Sequence, residues 1–165
     1  MEILDIYNGD RQITGRTIVR GNKVNSGDYI LVVHVWIIND HGELLIQKRQ
    51  PWKKMYPDIW DCAVAGAAQK GDDSANAAVR EAKEELDIEL NISKGRILFT
   101  DKFSFGFDDI WLVTQDIDIE NIKLQQSEVA EAKWVTREKL GEMVEKGEFI
   151  EYYYIEKLLK MIYGE

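Results

Sequence analysis

Apolar and polar positions alternate over residues 2–7 and again over residues 11–20, with Asn8-Gly9-Asp10 between them. A period of two on either side of a turn-forming triplet predicts an antiparallel hairpin. Gly15 marks a bulge or bend in its second arm. A polar stretch, residues 22–28, leads to residues 29–38, which are nearly all apolar and rich in β-branched and aromatic side chains. That run predicts a central strand covered on both faces. Asn39-Asp40-His41-Gly42 is a turn, and residues 43–48 are expected to pair back as the next strand.

Residues 51–58 form a loop with two prolines and two lysines, residues 60–65 a short strand, and residues 66–73 a glycine-containing loop. Residues 74–86 are the clearest helix in the chain. Strands follow near 95–104 and 109–118. Thr136 is placed to cap a helix ending at Gly147, and a last amphipathic helix is expected over residues 150–162. Strands and helices interleave, so the fold class is α/β or α+β, with a mixed β-sheet between helices and an N-terminal β-hairpin over about residues 1–28.

Composition narrows the partners. A chain of 165 residues is expected to form a single domain, 1–165. The net charge of −9 repels nucleic acid and anionic lipid, so neither a nucleic-acid polymer nor a membrane is an expected partner. A phosphorylated substrate would also be repelled, and would need a local basic patch or a metal ion. Cys62 is the only cysteine, which suits a reducing compartment. The first ten residues lack a basic segment followed by an apolar core, and the longest apolar run falls far short of a membrane span. A cytoplasmic protein, monomer or homodimer, is the expectation.

The predicted helix carries the candidate chemistry. At 100° per residue, Ala75, Ala78, Val79, Ala82 and Leu86 gather on one side, facing the sheet. Glu81, Glu84 and Glu85 gather on another, at spacings where side chains are neighbours. On a solvated face such crowding costs only tenths of a kcal/mol, about 0.2–0.5 per pair. Facing a cleft, it would make a divalent cation the natural neutraliser, and Mg²⁺ prefers hard oxygen ligands.

Residues 66–88 resemble the signature box of the Nudix hydrolases. Gly66 matches its first glycine, Arg80, Glu81, Glu84 and Glu85 its central group, and Ile88 its closing aliphatic; Ala82 is a small substitute for the inner aliphatic. Asp72 stands where the family has a glutamate and Asp87 where it has a second glycine. Asp87 falls at the helix end, where an aspartate tolerates a left-handed conformation. The likeness extends over roughly residues 29–140, through residues 44–49 before the box and residues 128–140 after it. The resemblance implies a mixed sheet sandwiched between helices, and Mg²⁺ (or Mn²⁺) held by Glu81, Glu84 and Glu85 with the Gly66 carbonyl. It implies that Arg80 and Asp72 are structural, tying helix to loop. A further carboxylate outside the box acts as base or extra ligand in this family; Glu128 is the first candidate, with Asp108 and Asp109 behind it.

The densest cationic stretch holds Arg49, Lys53 and Lys54, the best local patch for substrate phosphate, where Arg49 can fork onto two oxygens. Trp36, Trp60 and Trp134 read as core, His34 as a satisfied core histidine, and Cys62 as a small buried residue. Residues 53–60 resemble the Nudix branch that contains isopentenyl diphosphate isomerase. That enzyme's cysteine and histidine positions fall on Ala65 and Ala67 here, and alanine does no acid–base chemistry. The resemblance therefore implies a metal-dependent hydrolase cleaving the diphosphate linkage of a nucleoside diphosphate derivative or similar small pyrophosphate. The alternatives are an isomerase-like enzyme and a non-catalytic nucleotide-binding module.

Overall fold

A computed structural model describes residues 1–164. Its centre is β3 (Ile30–Ile38). Val33, Val35 and Ile37 point into one apolar cluster and Trp36 into a second on the opposite face. The near-continuous apolar run is thus explained: both faces of the strand are covered. One edge of β3 pairs in parallel with β8 (Gly106–Thr114), which pairs in turn with β7 (Gly95–Phe103). The other edge is shared. Val32 to Val35 pair with β6 (Val64–Ala67), whereas only Ile38 meets Leu44 of β4 (Leu44–Arg49).

The expected pairing of β4 back along β3 therefore fails after one residue pair. β6 occupies that edge, so β4 diverges and pairs with β5 (Trp60–Cys62) and β9 (Val129–Val135). The sheet is split into a β7-β8-β3-β6 lobe and a β9-β4-β5 lobe. The split positions the candidate site described below.

Helix α1 (Ser74–Leu86) covers one face. Asp73 accepts from the Asn76 backbone N–H at 2.7 Å, and Asp87 ends the helix at φ 54°, in the left-handed conformation expected of it. Ala77, Ala78, Ala82 and Leu86 are buried against Val33 and Val35, while Ala75 and Val79 are only partly covered. Helices α2 (Arg137–Glu145) and α3 (Ile155–Tyr163) cover the other face through Leu140, Met143, Leu158 and Leu159. Thr136 caps α2 as expected, accepting from Lys139 N–H at 3.1 Å. α3 starts at Ile155 rather than near 150, because Ile150 N–H is taken by the Trp60 carbonyl. Among the described residues, no helix is long and apolar enough to cross a membrane.

The hairpin, β1 (Ile3–Tyr7) and β2 (Ile13–Val19), forms its own two-stranded sheet. It docks on the loop before α1: Lys70 N–H donates to the Ile3 carbonyl and Gly71 N–H to Asp5 Oδ2. It is also tied to β8, where Arg11 grips Asp109 with both Nη atoms at 2.6 and 2.5 Å. Asp109 begins the strand in sequence terms but lies inside β8 and is fully buried; Arg11 and Thr100 compensate its charge. Burial alone would raise its pKa, but Arg11, Ser74 and Thr100 hold it below the ordinary value.

Asp109→Ala is expected to cost about 2–3 kcal/mol, the scale of hydrogen bonds to a charged group. A carboxylate with a depressed folded-state pKa adds stability that is complete above the unfolded value and is lost as pH falls through the folded one. Urea titrations of wild type and variant should therefore differ at neutral pH and converge in acid.

Candidate active site

The carboxylates of α1 come to a cavity of about 440 Å³. It opens where β4 and β5 part from β6. Glu81, Glu84 and Glu85 enter it from α1, Gln47 and Arg49 from β4, Asp61 from β5 and Ala65 from β6. Lys53 and Glu128 enter from loops, and Glu2 and Arg20 from the base of the N-terminal hairpin. Of the sequence-derived candidates, Glu81, Glu84, Glu85, Glu128, Arg49 and Lys53 are thus gathered around one space.

Lys54 does not line it and is exposed in the loop. Asp108 and Asp109 face elsewhere: Asp109 is held by Arg11, and Asp108 Oδ2 lies 3.0 Å from His34 Nδ1. Trp52 is also outside the cavity, donating to the Ser127 carbonyl. Trp36 and Trp60 are core residues, and Trp134 is partly buried with its Nε1–H on the Ile117 carbonyl.

Arg80 organises the helix and its approach loop. Its guanidinium donates to Asp72 Oδ2 at 2.8 and 3.0 Å, to the Ala67 carbonyl at 3.1 Å, to Glu81 Oε1 at 3.1 Å and to Glu84 Oε2 at 3.3 Å. Asp72, the shorter acid at the glutamate position, still reaches Arg80 and also accepts from Gln69 N–H. Gly66 serves by having no side chain. A Cβ there would lie 2.3 Å from the Glu81 carboxyl carbon, so Glu81 packs directly on the strand backbone. Gly66 and Ala67 belong to β6 and not to the loop that follows, and Ala63 separates β5 from β6.

Gly66→Ala is therefore expected to displace Glu81 and leave the fold intact. Misplacing a reacting group by about 1 Å costs on the order of 10²-fold in rate. A loss of that order with an unchanged melting curve would match this reading. Unchanged turnover would show that the position of Glu81 is immaterial.

The cavity is electrostatically lopsided. Six carboxylates face three cations, Arg20, Arg49 and Lys53, leaving a surplus of three negative charges when all are ionised. Glu85 is 8% exposed, and burial, then the Glu81 charge, raises its pKa well above the ordinary value against a 2.5 Å hydrogen bond from Gln47 Nε2. Burial also raises Glu81, more than Arg80 lowers it. Crowded, desolvated carboxylates with hard oxygen donors suit a divalent cation. Among the described residues, no three such side chains converge into a ready-made metal site. Each is drawn to a partner instead: Glu81 and Glu84 to Arg80, Glu85 to Gln47, and Glu128 to Lys53. Glu84 is the freest to turn inward, being held at 3.3 Å and 42% exposed.

Glu2, Arg20, Gln47 and Asp61 were not legible as site residues. Asp61 sits between Trp60 and Cys62 in a short buried strand, Gln47 is an uncharged amide in β4, and only the hairpin's docking brings Glu2 and Arg20 to the cavity. The hairpin covers one side of the site.

A family model described as NUDIX domain matches residues 28–158. An uncharacterized Nudix hydrolase of Listeria monocytogenes is 44% identical over 161 residues, covering 98% of this chain and 95% of that protein. Isopentenyl-diphosphate Delta-isomerase of Escherichia coli is 28% identical over 104 residues, or 60% of this chain and 57% of its own. Among solved structures, the crystal structure of a Deinococcus radiodurans protein matches with a TM-score of 0.78 at 25% identity, over 98% of this chain and 99% of that one.

Proposed function

We propose, from the premise that the chain belongs to the Nudix family of hydrolases, that it cleaves the diphosphate linkage of a nucleoside diphosphate derivative or similar small pyrophosphate with the help of Mg²⁺ or Mn²⁺. The observation that carries this is the cavity in which three α1 carboxylates, an outlying glutamate and three cations meet. When bound, the divalent ion supplies neutralisation of the diphosphate charge and a more acidic water. Glu81, Glu84 and Glu85 are the side chains to hold it, with the Gly66 carbonyl beside them.

The chain's own groups do the rest. Arg49 and Lys53, joined by Arg20, bind and orient the phosphates across the cavity from α1. Glu128 is 40% exposed and paired with Lys53, placed to take a proton from water once Lys53 turns to substrate. Arg80 and Asp72 fix the helix against its loop.

An isomerase reading finds no acid–base group at Ala65, which lines the cavity, or at Ala67, which is buried. Cys62 offers no substitute: its thiol is buried, donates to the Val64 carbonyl at 3.3 Å, and is pushed well up in pKa by burial. Release of phosphate or phosphomonoester from nucleotide sugars, dinucleoside polyphosphates, nucleoside triphosphates and isopentenyl diphosphate, with and without Mg²⁺, tests the reading. Binding without turnover of any of them would favour a non-catalytic module, and isomerised isopentenyl diphosphate would favour the isomerase.

A further inference from the structure

A second cavity of about 320 Å³ lies beside the first. The two share a partition. His34 of the second is in register with Ala65 of the first, and Tyr152 of the second donates to Asp61 Oδ1 of the first at 2.5 Å.

Its wall is aromatic. Tyr152 and Tyr154 stack with centroids 5.0 Å apart and 15° between planes, and Tyr153 meets Tyr154 edge-on at 5.9 Å. Phe103 and Tyr56 add two further rings. Three carboxylates also line it, Asp101, Asp108 and Glu151, against one basic group, His34. Asp108 is 8% exposed; its Oδ2 meets His34, but among the described residues its Oδ1 has no hydrogen-bond donor. A buried acceptor left unpaired is costly, and a ligand that donates to it relieves that cost. His34 reports the local field: burial opposes its charge, yet Asp108, with Asp61 and Asp101, holds its pKa above the ordinary value. Ring faces and surplus carboxylates attract the same kind of ligand, a cation that also donates hydrogen bonds or offers polarised C–H groups.

We propose that this second cavity binds an organic cation, an ammonium or alkylated ammonium group, carried by the substrate beyond its diphosphate. The proposal rests on the hydrolase reading of the first cavity for its placement of the phosphates. The cationic end then lies past the Asp61–Tyr152 pair. A neutral sugar would leave the carboxylates unbalanced, and a further phosphate would be repelled.

Choline and its uncharged isostere 3,3-dimethylbutan-1-ol, titrated into the full chain and followed by NMR, provide the test. Choline is expected to bind and to shift the signals of His34 and Tyr152–Tyr154. The isostere should bind at least about tenfold more weakly, because it lacks the charge that ring faces attract. Asp108→Asn should weaken choline about fivefold or more, as should Tyr153→Leu, which removes a ring that is 80% exposed and so spares the fold. Equal affinity for the two compounds, or no choline binding at about 50 mM, roughly −1.8 kcal/mol, would overturn the proposal. A second arm compares a nucleoside diphosphate ester of choline with one of glucose, the choline ester being expected to have the higher kcat/KM. Diphosphate hydrolysis without choline binding would sink the cation site and spare the hydrolase reading. Choline binding with no diphosphate turned over would do the reverse.

Discussion

Glu84→Gln is expected to lower kcat for diphosphate hydrolysis on the order of 10²–10³-fold, the scale of losing one preorganised charge-stabilising group. Glutamine keeps the size of the side chain and removes its charge. Glu84 is the exposed member of the α1 triad, and it pairs with Arg80 at 3.3 Å. Exposed pairs of this kind contribute about 0.2–1 kcal/mol, so folding should be almost unaffected. The loss should be partly recovered at higher Mg²⁺, since a missing anionic ligand weakens metal binding more than it alters the chemistry. A variant with full turnover at low Mg²⁺ would remove Glu84 from the site.

Glu85→Gln separates function from stability in the opposite sense. Glu85 is buried beside Glu81 and receives a hydrogen bond from Gln47 that a glutamine carbonyl can equally accept. Turnover should again fall on the order of 10²-fold. The metal-free variant should nevertheless be more stable at neutral pH, by about 1–2 kcal/mol, because it no longer buries an uncompensated acid. At this chain length, that is a rise in Tm of roughly 2–4 °C per kcal/mol. The sign with pH follows from the raised pKa. The folded state holds the proton more tightly than the unfolded state, so stability is fully present below the unfolded value. It is lost as pH rises through the folded value, and the metal-free wild type should lose stability over that window while Glu85→Gln does not. A Tm that drops on substitution would mean that Glu85 is compensated by a charge the structure does not place beside it.

The elements that read correctly from sequence are those whose stability is local. The 74–86 helix has its caps, Asp73 and Asp87, within its own segment, and the apolar run of β3 follows from burial on both faces. What sequence did not reveal depends on distant partners. The residues of β9 include small alanines that blur its alternation, and it is fixed by pairing with β4. β4 was expected beside β3, yet the β3 edge belongs to β6, a choice made between segments far apart in the chain. The strand was expected from residue 109, yet β8 begins at Gly106 and holds both Asp108 and Asp109; His34 and Arg11, each remote in sequence, allow both acids to sit inside it.

The site divides in the same way. Glu81, Glu84, Glu85, Arg80 and Gly66 lie within one box whose spacing carries their relation, and Asp72 keeps its hold on Arg80 despite the shorter side chain. Glu128 and Lys53 reach the same cavity from loops, and Arg49 reaches it from the end of β4. Arg20 and Glu2 come from a hairpin whose own pattern says nothing of where it docks. Lys54, one residue from Lys53, points away because neighbouring loop residues need not share a direction.

The most direct measurement of the central claim is ³¹P NMR of a nucleoside diphosphate ester incubated with the full chain and Mg²⁺, then with excess chelator. The expected result is that the two coupled diphosphate resonances give way to phosphomonoester resonances only while Mg²⁺ is present, and that Glu84→Gln slows this conversion. Diphosphate resonances that persist across the substrate panel in Mg²⁺, or conversion that continues unchanged in chelator, would contradict it.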